Sequence, residues 1–339
     1  MAITQKDIAQ RLNLSIMTVS RALKGHPDIN KDTRKLVLKT AREMNYTVNM
    51  VARSLVQKRT QSIGVLVPDI SEPFFAEIVR GVEAVARENQ YNILLADSDN
   101  DDQLELKALQ TLLEKRVDGL IIGPTEKSKK YIGLLKNLSI PYVLINSNPV
   151  NLECDTIAID RAYGARLAMG HLVECGYKQL YYMYSFRHME QSRASIQGCY
   201  EALDVYGYPH NKLELLFCET HELETYYRKT MDNIRYSDQR IGIFVWDDEM
   251  AVGVYRALTE KGYDIPGQVG IVGFDDIKIS QYLPKSLTTI RYPKYETGER
   301  AAERLMQCLA SEEKIPVKNI EMGLQLIKRE TTHAGDNDL

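Results

Sequence analysis

Ala41–Gln61, AREMNYTVNMVARSLVQKRTQ, divides this 339-residue chain into two parts of different character. Before it lies a short basic head patterned only for helices; after it lies a long acidic body in which strand-like and helix-like runs alternate. Up to Thr60 there are twelve Lys and Arg against four Asp and Glu, a charge of +8; the whole chain carries −3, so the remainder carries −11. A compact basic unit on an acidic body reads as a nucleic-acid-binding module carried by a domain with a different task.

The length allows two or three compact units, and 44% apolar residues suffice for real cores. No apolar run reaches the length of a membrane span, and the opening MAITQKDIAQRL lacks the apolar centre of an export signal. The expected location is the cytoplasm, with no membrane partner. Cys154, Cys175, Cys199, Cys218 and Cys308 are scattered and free of CxxC spacing, which argues for reduced packing residues rather than disulfides or a zinc site. No metal and no cofactor is expected.

Residues 1–46 read as three helices. Thr4 followed by Asp7 resembles a capping box for a first helix of about two turns that buries Ile8, Ala9 and Leu12 and closes at Asn13. Ser15 caps a second, IMTVSRAL, with Val19, Ala22 and Leu23 inward and Ile16, Met17, Ser20 and Arg21 outward. A third starts after Asn30, burying Leu36, Val37, Thr40, Ala41 and Met44, with Asn45 suited to a left-handed end. Two short helices joined by a tight turn and braced by a third make a helix-turn-helix whose second helix enters a major groove. The bland alternative is a small bundle with a solvated basic face; the charge asymmetry weighs against it.

At this point the chain resembles a known family. IAQRLNLSIMTVSRALKG (8–25), TRKLVLKTAREMNY (33–46), the N..ARSL pattern at 49–55 and KRETT (328–332) are similar to the lactose-repressor/galactose-repressor (LacI/GalR) family of bacterial transcription regulators, over nearly the whole chain. The resemblance implies that Ser15, Ile16, Met17, Thr18, Ser20, Arg21, Asn30 and Thr33 face DNA. It also makes residues 47–60 a hinge. NMVARSLVQ is too short to be a stable isolated helix; in the family this segment orders on operator DNA and presents a leucine to the minor groove. Leu55 holds that position here, with Asn49, Ala52 and Arg53 around it. An apolar wedge of this kind unstacks a base step and bends DNA. Val48 stands where the family usually has proline, whose fixed backbone favours a first helical turn. The alternative is a plain linker with Leu55 packed on the body.

From Ser62 onward IGVLV, NILLAD, GLIIG, YVLIN and TIAID alternate with helical runs such as 72–89 and 102–115, and a second series, LYYMY, LELLF, IGIFVW and VGIVGF, alternates with runs at 191–207, 222–235 and 248–261. Such alternation means parallel strands in βαβ units, and two series mean two lobes. The family resemblance implies a periplasmic-binding-protein-like core at 61–339, with lobe one at about 61–160 and 292–322 and lobe two at about 161–291 and 323–333.

Asp97, Asn146, Asp160, Asp247 and Asp275 each follow an apolar run directly. Ligands of open α/β sheets bind beyond the carboxyl ends of strands, so two facing lobes would gather such residues in one cleft, with Phe74 and Phe75 as an apolar wall. Each carboxylate could equally be a helix cap. By resemblance the effector-binding set is Phe74, Phe75, Asn146, Asp160, Arg193, Trp246, Asp247 and Asp275, the last in a GFDD loop. The family's ligand-contacting arginine, three residues before the glycine of its RxxG segment, is Ser195 here, so that either Arg193 substitutes or the ligand lacks the group that arginine holds. The single tryptophan, Trp246, is either a sugar-stacking surface or a core residue.

An enzyme reading fails on chemistry: GxGxxG after the first strand, GxxxxGK[ST], GxSxG and HExxH are all missing, and the six histidines lack ligand spacing. A stand-alone solute receptor would use the same body but would need no basic head. The sequence therefore predicts a homodimeric repressor that binds double-stranded operator DNA at a pseudo-palindrome and is switched by a small molecule between the lobes, a sugar or sugar derivative first and a nucleobase second.

Overall fold

The computed structural model describes residues 3–46, 59–125, 129–147, 149, 152–185, 189–313 and 315–333. It divides into two compact units, 1–60 and 61–339.

In the head, α1 (Gln5–Leu12), α2 (Ile16–Lys24) and α3 (Lys31–Glu43) start and stop where local chemistry dictates. Thr4 and Asp7 form a reciprocal capping box, and Asn13 ends α1 at φ 52°. Ser15 Oγ accepts the Thr18 amide at 3.0 Å, Gly25 closes α2 at φ 73°, and Asn30 Oδ1 accepts the Thr33 amide at 2.7 Å. Ile8, Ala9, Val19, Ala22, Val37 and Ala41 form the small core. Leu36 departs from the expected stripe: it is 48% exposed, because the inward face of α3 is set by the Val37, Thr40 and Ala41 spacing and Leu36 falls a hundred degrees away.

The larger unit holds two six-stranded sheets. The first contains β1 (Ser62–Val67), β2 (Asn92–Asp97), β3 (Gly119–Ile122), β4 (Tyr142–Ile145), β5 (Asp155–Ile159) and β11 (Asn319–Met322), in the order β11-β5-β4-β3-β1-β2. The second contains β6 (Gln179–Ser185), β7 (Leu213–Cys218), β8 (Ile241–Val245), β9 (Val269–Asp275), β10 (Thr288–Arg291) and β12 (Gln325–Ile327), in the order β12-β10-β9-β8-β6-β7. Both orders are the same doubly wound pattern, with the switch beside the first strand of each series. Every pairing is parallel except β10 with β12, which run antiparallel.

Side-chain alternation distributes each strand between two helical layers. Ile63, Val65 and Val67 of β1 pack on α4 (Pro73–Glu88) and α11 (Lys294–Ala310), whereas Leu66 faces α5 (Asp102–Glu114) and α6 (Lys129–Lys136). In the second sheet, Leu180 and Tyr182 face α7 (Arg161–Glu174) and α8 (Met189–Val205), while Tyr181 and Met183 face α9 (Leu223–Asn233) and α10 (Asp248–Glu260). The chain passes between sheets after β5, after β10 and between β11 and β12. One apolar cluster runs through these crossings, joining Phe74 and Phe75 to Trp246, Phe274 and Tyr292.

Candidate DNA-reading and ligand-binding sites

The outward face of α2 presents Ile16, 50% exposed, and Met17, 64% exposed, with Arg21 on the same side. Two large apolar side chains at the start of a solvent-facing helix have no partner in the head's own core. Ser15, Thr18, Asn30 and Thr33 are occupied in capping: Ser15 Oγ meets Thr18 Oγ1 at 2.9 Å, and Asn30 holds Thr33. Arg21 lies 3.8 Å from Asp28, which also meets His26 Nδ1 at 3.2 Å. These are exposed pairs of little energetic weight, which phosphate or a base edge can replace. Val48, Asn49, Ala52, Arg53 and Leu55 lie outside the described residues.

In the core, the expected residues part company. Phe74 and Phe75 open α4, behind Pro73 at its first turn; their rings meet edge to face at 4.9 Å, and Phe74 meets Tyr292 the same way at 4.9 Å. They are a buried aromatic wall. Asn146 takes φ 54°, and its carbonyl accepts Gln191 Nε2 from α8 at 3.2 Å, a contact from one lobe to the other. Asp97 is tied to its own loop through the Asp99 amide and to the loop after β1 through the Ile70 amide. Asp160 caps α7 through the Tyr163 amide at 2.8 Å and lies 3.8 Å from Arg166. Asp247 caps α10 through the Met250 amide at 2.7 Å, and its second oxygen meets His221 Nε2 at 2.9 Å. Burial raises the Asp247 pKa, but the charge of His221 and its hydrogen bond outweigh that, so it is lowered overall.

Asp275 differs from these. Its Oδ1 is buried with no hydrogen-bond partner, and its backbone takes φ 100°, outside the regions comfortable for a side-chain-bearing residue. Burial pushes its pKa up to about 6, with Arg161 and Lys294 opposing and Asp247 adding to the rise. The next residue, Asp276, does structural work: it takes Arg291 Nε at 2.7 Å and Arg329 Nη2 at 2.5 Å. Lys294, only 3% exposed, donates its ammonium to the carbonyls of Asp275, Asp276 and Tyr292, fixing the start of α11 against the end of β9.

Several residues that the sequence did not single out complete the junction. Arg161, at the first crossing, lies 3.9 Å over the Trp246 ring and 4.1 Å over Phe274, with Nη2 donating to the Trp246 carbonyl at 3.3 Å. On α8, Ser192 and Ser195 are buried and Arg193 is exposed, so the serines, not that arginine, face inward. Ser185, His221 and Asp247 form a row, Ser185 Oγ lying 3.2 Å from His221 Nδ1. The only sequence signal for Arg161 was its place immediately after a polar strand end. Among the described residues no cluster of His, Cys, Asp and Glu is arranged to hold a metal ion, and no helix is long and apolar enough to cross a membrane.

A basic helix-turn-helix unit and a two-lobed α/β core with unsatisfied polar atoms at the lobe junction define a ligand-responsive transcription regulator. The chain belongs to the lacI family of bacterial regulatory proteins. That family's model matches residues 4–49, and the model of a periplasmic binding protein-like domain matches residues 169–332. Catabolite control protein A of Priestia megaterium is 30% identical over 98% of this chain and 100% of its own length. The ribose operon repressor of Haemophilus influenzae is 33% identical over 90% of this chain and 91% of its own. A LacI family transcriptional regulator from Enterococcus faecium, solved with bound ribose, is 31% identical with a TM-score of 0.73, covering 81% of this chain and 100% of that one.

Proposed function

We propose that this protein is a cytoplasmic, homodimeric repressor that binds a pseudo-palindromic operator through paired α2 helices and is controlled by a sugar or sugar derivative bound between the lobes of its core. Residues 1–46 form the DNA-binding head, 47–60 the hinge, and 61–339 the effector-binding and dimerisation core. Its lobes comprise about 61–160 with 292–322, and about 161–291 with 323–333. The observation that carries this reading is the unsatisfied Asp275 Oδ1 at the lobe junction of a chain that also bears a basic helix-turn-helix. Relatives described as a ribose operon repressor and as a regulator solved with ribose support a sugar as ligand. A stand-alone receptor would leave the head without a use. Catalysis is not part of the proposal: in the Ser185–His221–Asp247 row the serine is 1% exposed and Asp247 is occupied in capping α10. The test is selection of operator sequences from random duplex DNA by the purified protein, followed by competition with a panel of free sugars. Failure to enrich any two-fold symmetric sequence would overturn the DNA half, and failure of every sugar to alter binding would overturn the effector half.

Within the operator, Arg21 is assigned to a guanine and Ile16 or Met17 to the methyl group of an adjacent thymine, since apolar side chains cannot make bidentate base contacts but pack on that methyl. Replacing the thymine by uracil is expected to weaken binding about threefold to tenfold, a methyl-sized burial of roughly 0.8 kcal/mol or somewhat more. A half-site in which no single methyl removal matters would refute the assignment. Leu55 is assigned to the minor groove at the operator centre. Leu55→Ala is expected to abolish DNA bending in a circular-permutation gel and to weaken specific binding. Non-specific binding, which rests on phosphate contacts, should change less. Equal bending by both proteins would remove the wedge.

A further inference from the structure

Arg161 presents an unusual combination of burial and unsatisfied polarity. The residue is 8% exposed, and its guanidinium lies against the rings of Trp246 and Phe274 and is held at Nη2 by a carbonyl, yet Nε is buried without a partner. A buried donor on a charged group is costly to leave unmade, more so than a neutral amide. Around it lie other polar atoms in the same condition: Asp275 Oδ1, Ser195 Oγ, and the hydroxyls of Tyr182 and Tyr292. All three ionisable neighbours, Asp275, Tyr182 and Tyr292, feel the Arg161 charge. Ser195 and the Tyr182 hydroxyl lie side by side without hydrogen-bonding geometry. Helices α7 and α8 are pressed together here: a Cβ on Gly198 would sit 2.0 Å from the Ala162 carbonyl oxygen. Arg161 and the inward serines of α8 therefore share one small volume, and a long side chain at Ser195 would compete with the guanidinium for it.

We propose that Arg161 is the ligand-orienting arginine of the core, its Nε donating to a ligand hydroxyl that in turn donates to Asp275 Oδ1. A hydroxyl is the group that satisfies a donor and an acceptor at once. Arg193, exposed on α8, has no part in this. The inference rests on the reading of the junction as a sugar site and adds to it the residue that selects one hydroxyl. It also gives the ligand a class: a neutral polyol, because a hydroxyl can accept from Arg161 and donate to Asp275 at once, whereas a carboxylate oxygen only accepts and an ammonium only donates.

Trp246, the only tryptophan in the chain, reports on this arginine directly, since the two are stacked. Free aldopentoses and aldohexoses, D-ribose first, are titrated against the full-length protein with tryptophan emission as readout, and each monodeoxy analogue of the tightest sugar follows. One deoxy analogue is expected to bind about 10- to 100-fold more weakly than its parent, the loss typical of a hydrogen bond to a charged group. In Arg161→Lys, which keeps the charge but lacks Nε, the parent sugar should lose a similar factor and that one analogue should lose almost nothing. A merely structural role would weaken every analogue by the same factor. If no sugar moves the emission, the sugar reading falls and the Arg161 assignment falls with it; if a sugar binds and Arg161→Lys binds it as the wild type does, only the Arg161 assignment falls. Should the variant not fold, the deoxy series on unaltered protein decides: a series in which every removal costs less than about threefold overturns the proposal.

Discussion

Asp275→Asn is expected to reduce sugar affinity by about 10- to 100-fold, to remove most of the effect of sugar on operator binding, and to make the protein more stable, increasingly so as pH rises to about 6. The first two follow from chemistry at Oδ1. An amide of the same shape replaces a charged acceptor by a weaker one or, if flipped, by a donor that faces the donor of the ligand, and charge-assisted bonds contribute about 1.5 to 3 kcal/mol each. The head is a separate compact unit, so operator binding without sugar should change less than about threefold. The stability gain follows from linkage. Burial raises the Asp275 pKa from 3.8 to about 6, so the carboxyl's contribution is fully present below the unfolded value and is lost as pH rises through about 6. Above that pH the ionised side chain costs the folded state about 3 kcal/mol, from two pKa units at 1.36 kcal/mol each. Asparagine cannot ionise, and it tolerates a positive φ at least as well as aspartate, so the variant adds no backbone strain. Urea unfolding at pH 5 and pH 8 checks this: the stability advantage of the variant should grow from about 1.6 kcal/mol at pH 5 to about 3 kcal/mol at pH 8. A wild-type sugar affinity in Asp275→Asn would sink the assignment of this carboxylate to the ligand. The same titration predicts that sugar affinity in the wild type weakens as pH falls below about 6.

Residue types at strand ends told the sequence where a ligand could bind, but not which of them were free to bind it. A carboxylate before a helix is equally suited to capping and to recognition, and only tertiary partners separate the two uses. Asp160 and Asp247 cap α7 and α10. In GFDD the two aspartates are neighbours with opposite fates, because the arginines that occupy Asp276 arrive 15 and 53 residues later in the chain. The alternating series was readable because β-rich apolar runs are strong signals, and NILLAD matches β2 residue for residue. What the alternation itself did not show was the return into the first lobe, which came only from the family resemblance. Strands β10, β11 and β12 are only three or four residues long, and β11 and β12 have no fully buried face. Helix α11, KYETGERAAERLMQCLA, is rich in charge and buries mainly small residues, Thr297, Gly298, Ala301 and Ala302, with Leu305 and Leu309. That pattern lacks the large apolar stripe that marks a core helix from sequence. It makes sense only once another helix is known to lie against it.

Gly298→Ala is expected to destabilise the core by about 1 to 2 kcal/mol, and Gly298→Val to prevent its folding. At Gly298 an added Cβ would sit 2.0 Å from the Ile78 carbonyl oxygen and 2.9 Å from the Val82 amide; at Gly81, on the facing helix, one would sit 2.1 Å from the Tyr295 carbonyl oxygen. The obstacle in each case is backbone, which no rotamer change relieves, so α4 and α11 must separate. Overpacking alone typically costs 1 to 3 kcal/mol, and here the gain of roughly 1 kcal/mol from replacing a helical glycine by alanine opposes it. Separation has functional consequences, because α4 carries Phe74 and Phe75 and α11 begins at Lys294, whose ammonium holds the carbonyl of Asp275. Displacing the pair shifts the aromatic wall against the carboxylate, so a folded Gly298→Ala protein should also bind sugar more weakly, while the head keeps its own fold. Gly133 supplies the control: it lies in α6 with nothing within 4 Å of an added Cβ, and Gly133→Ala should be neutral or stabilising by about 0.5 to 1 kcal/mol. Urea midpoints for Gly298→Ala and Gly133→Ala that coincide would show that the two helices do not meet as closely as these distances require.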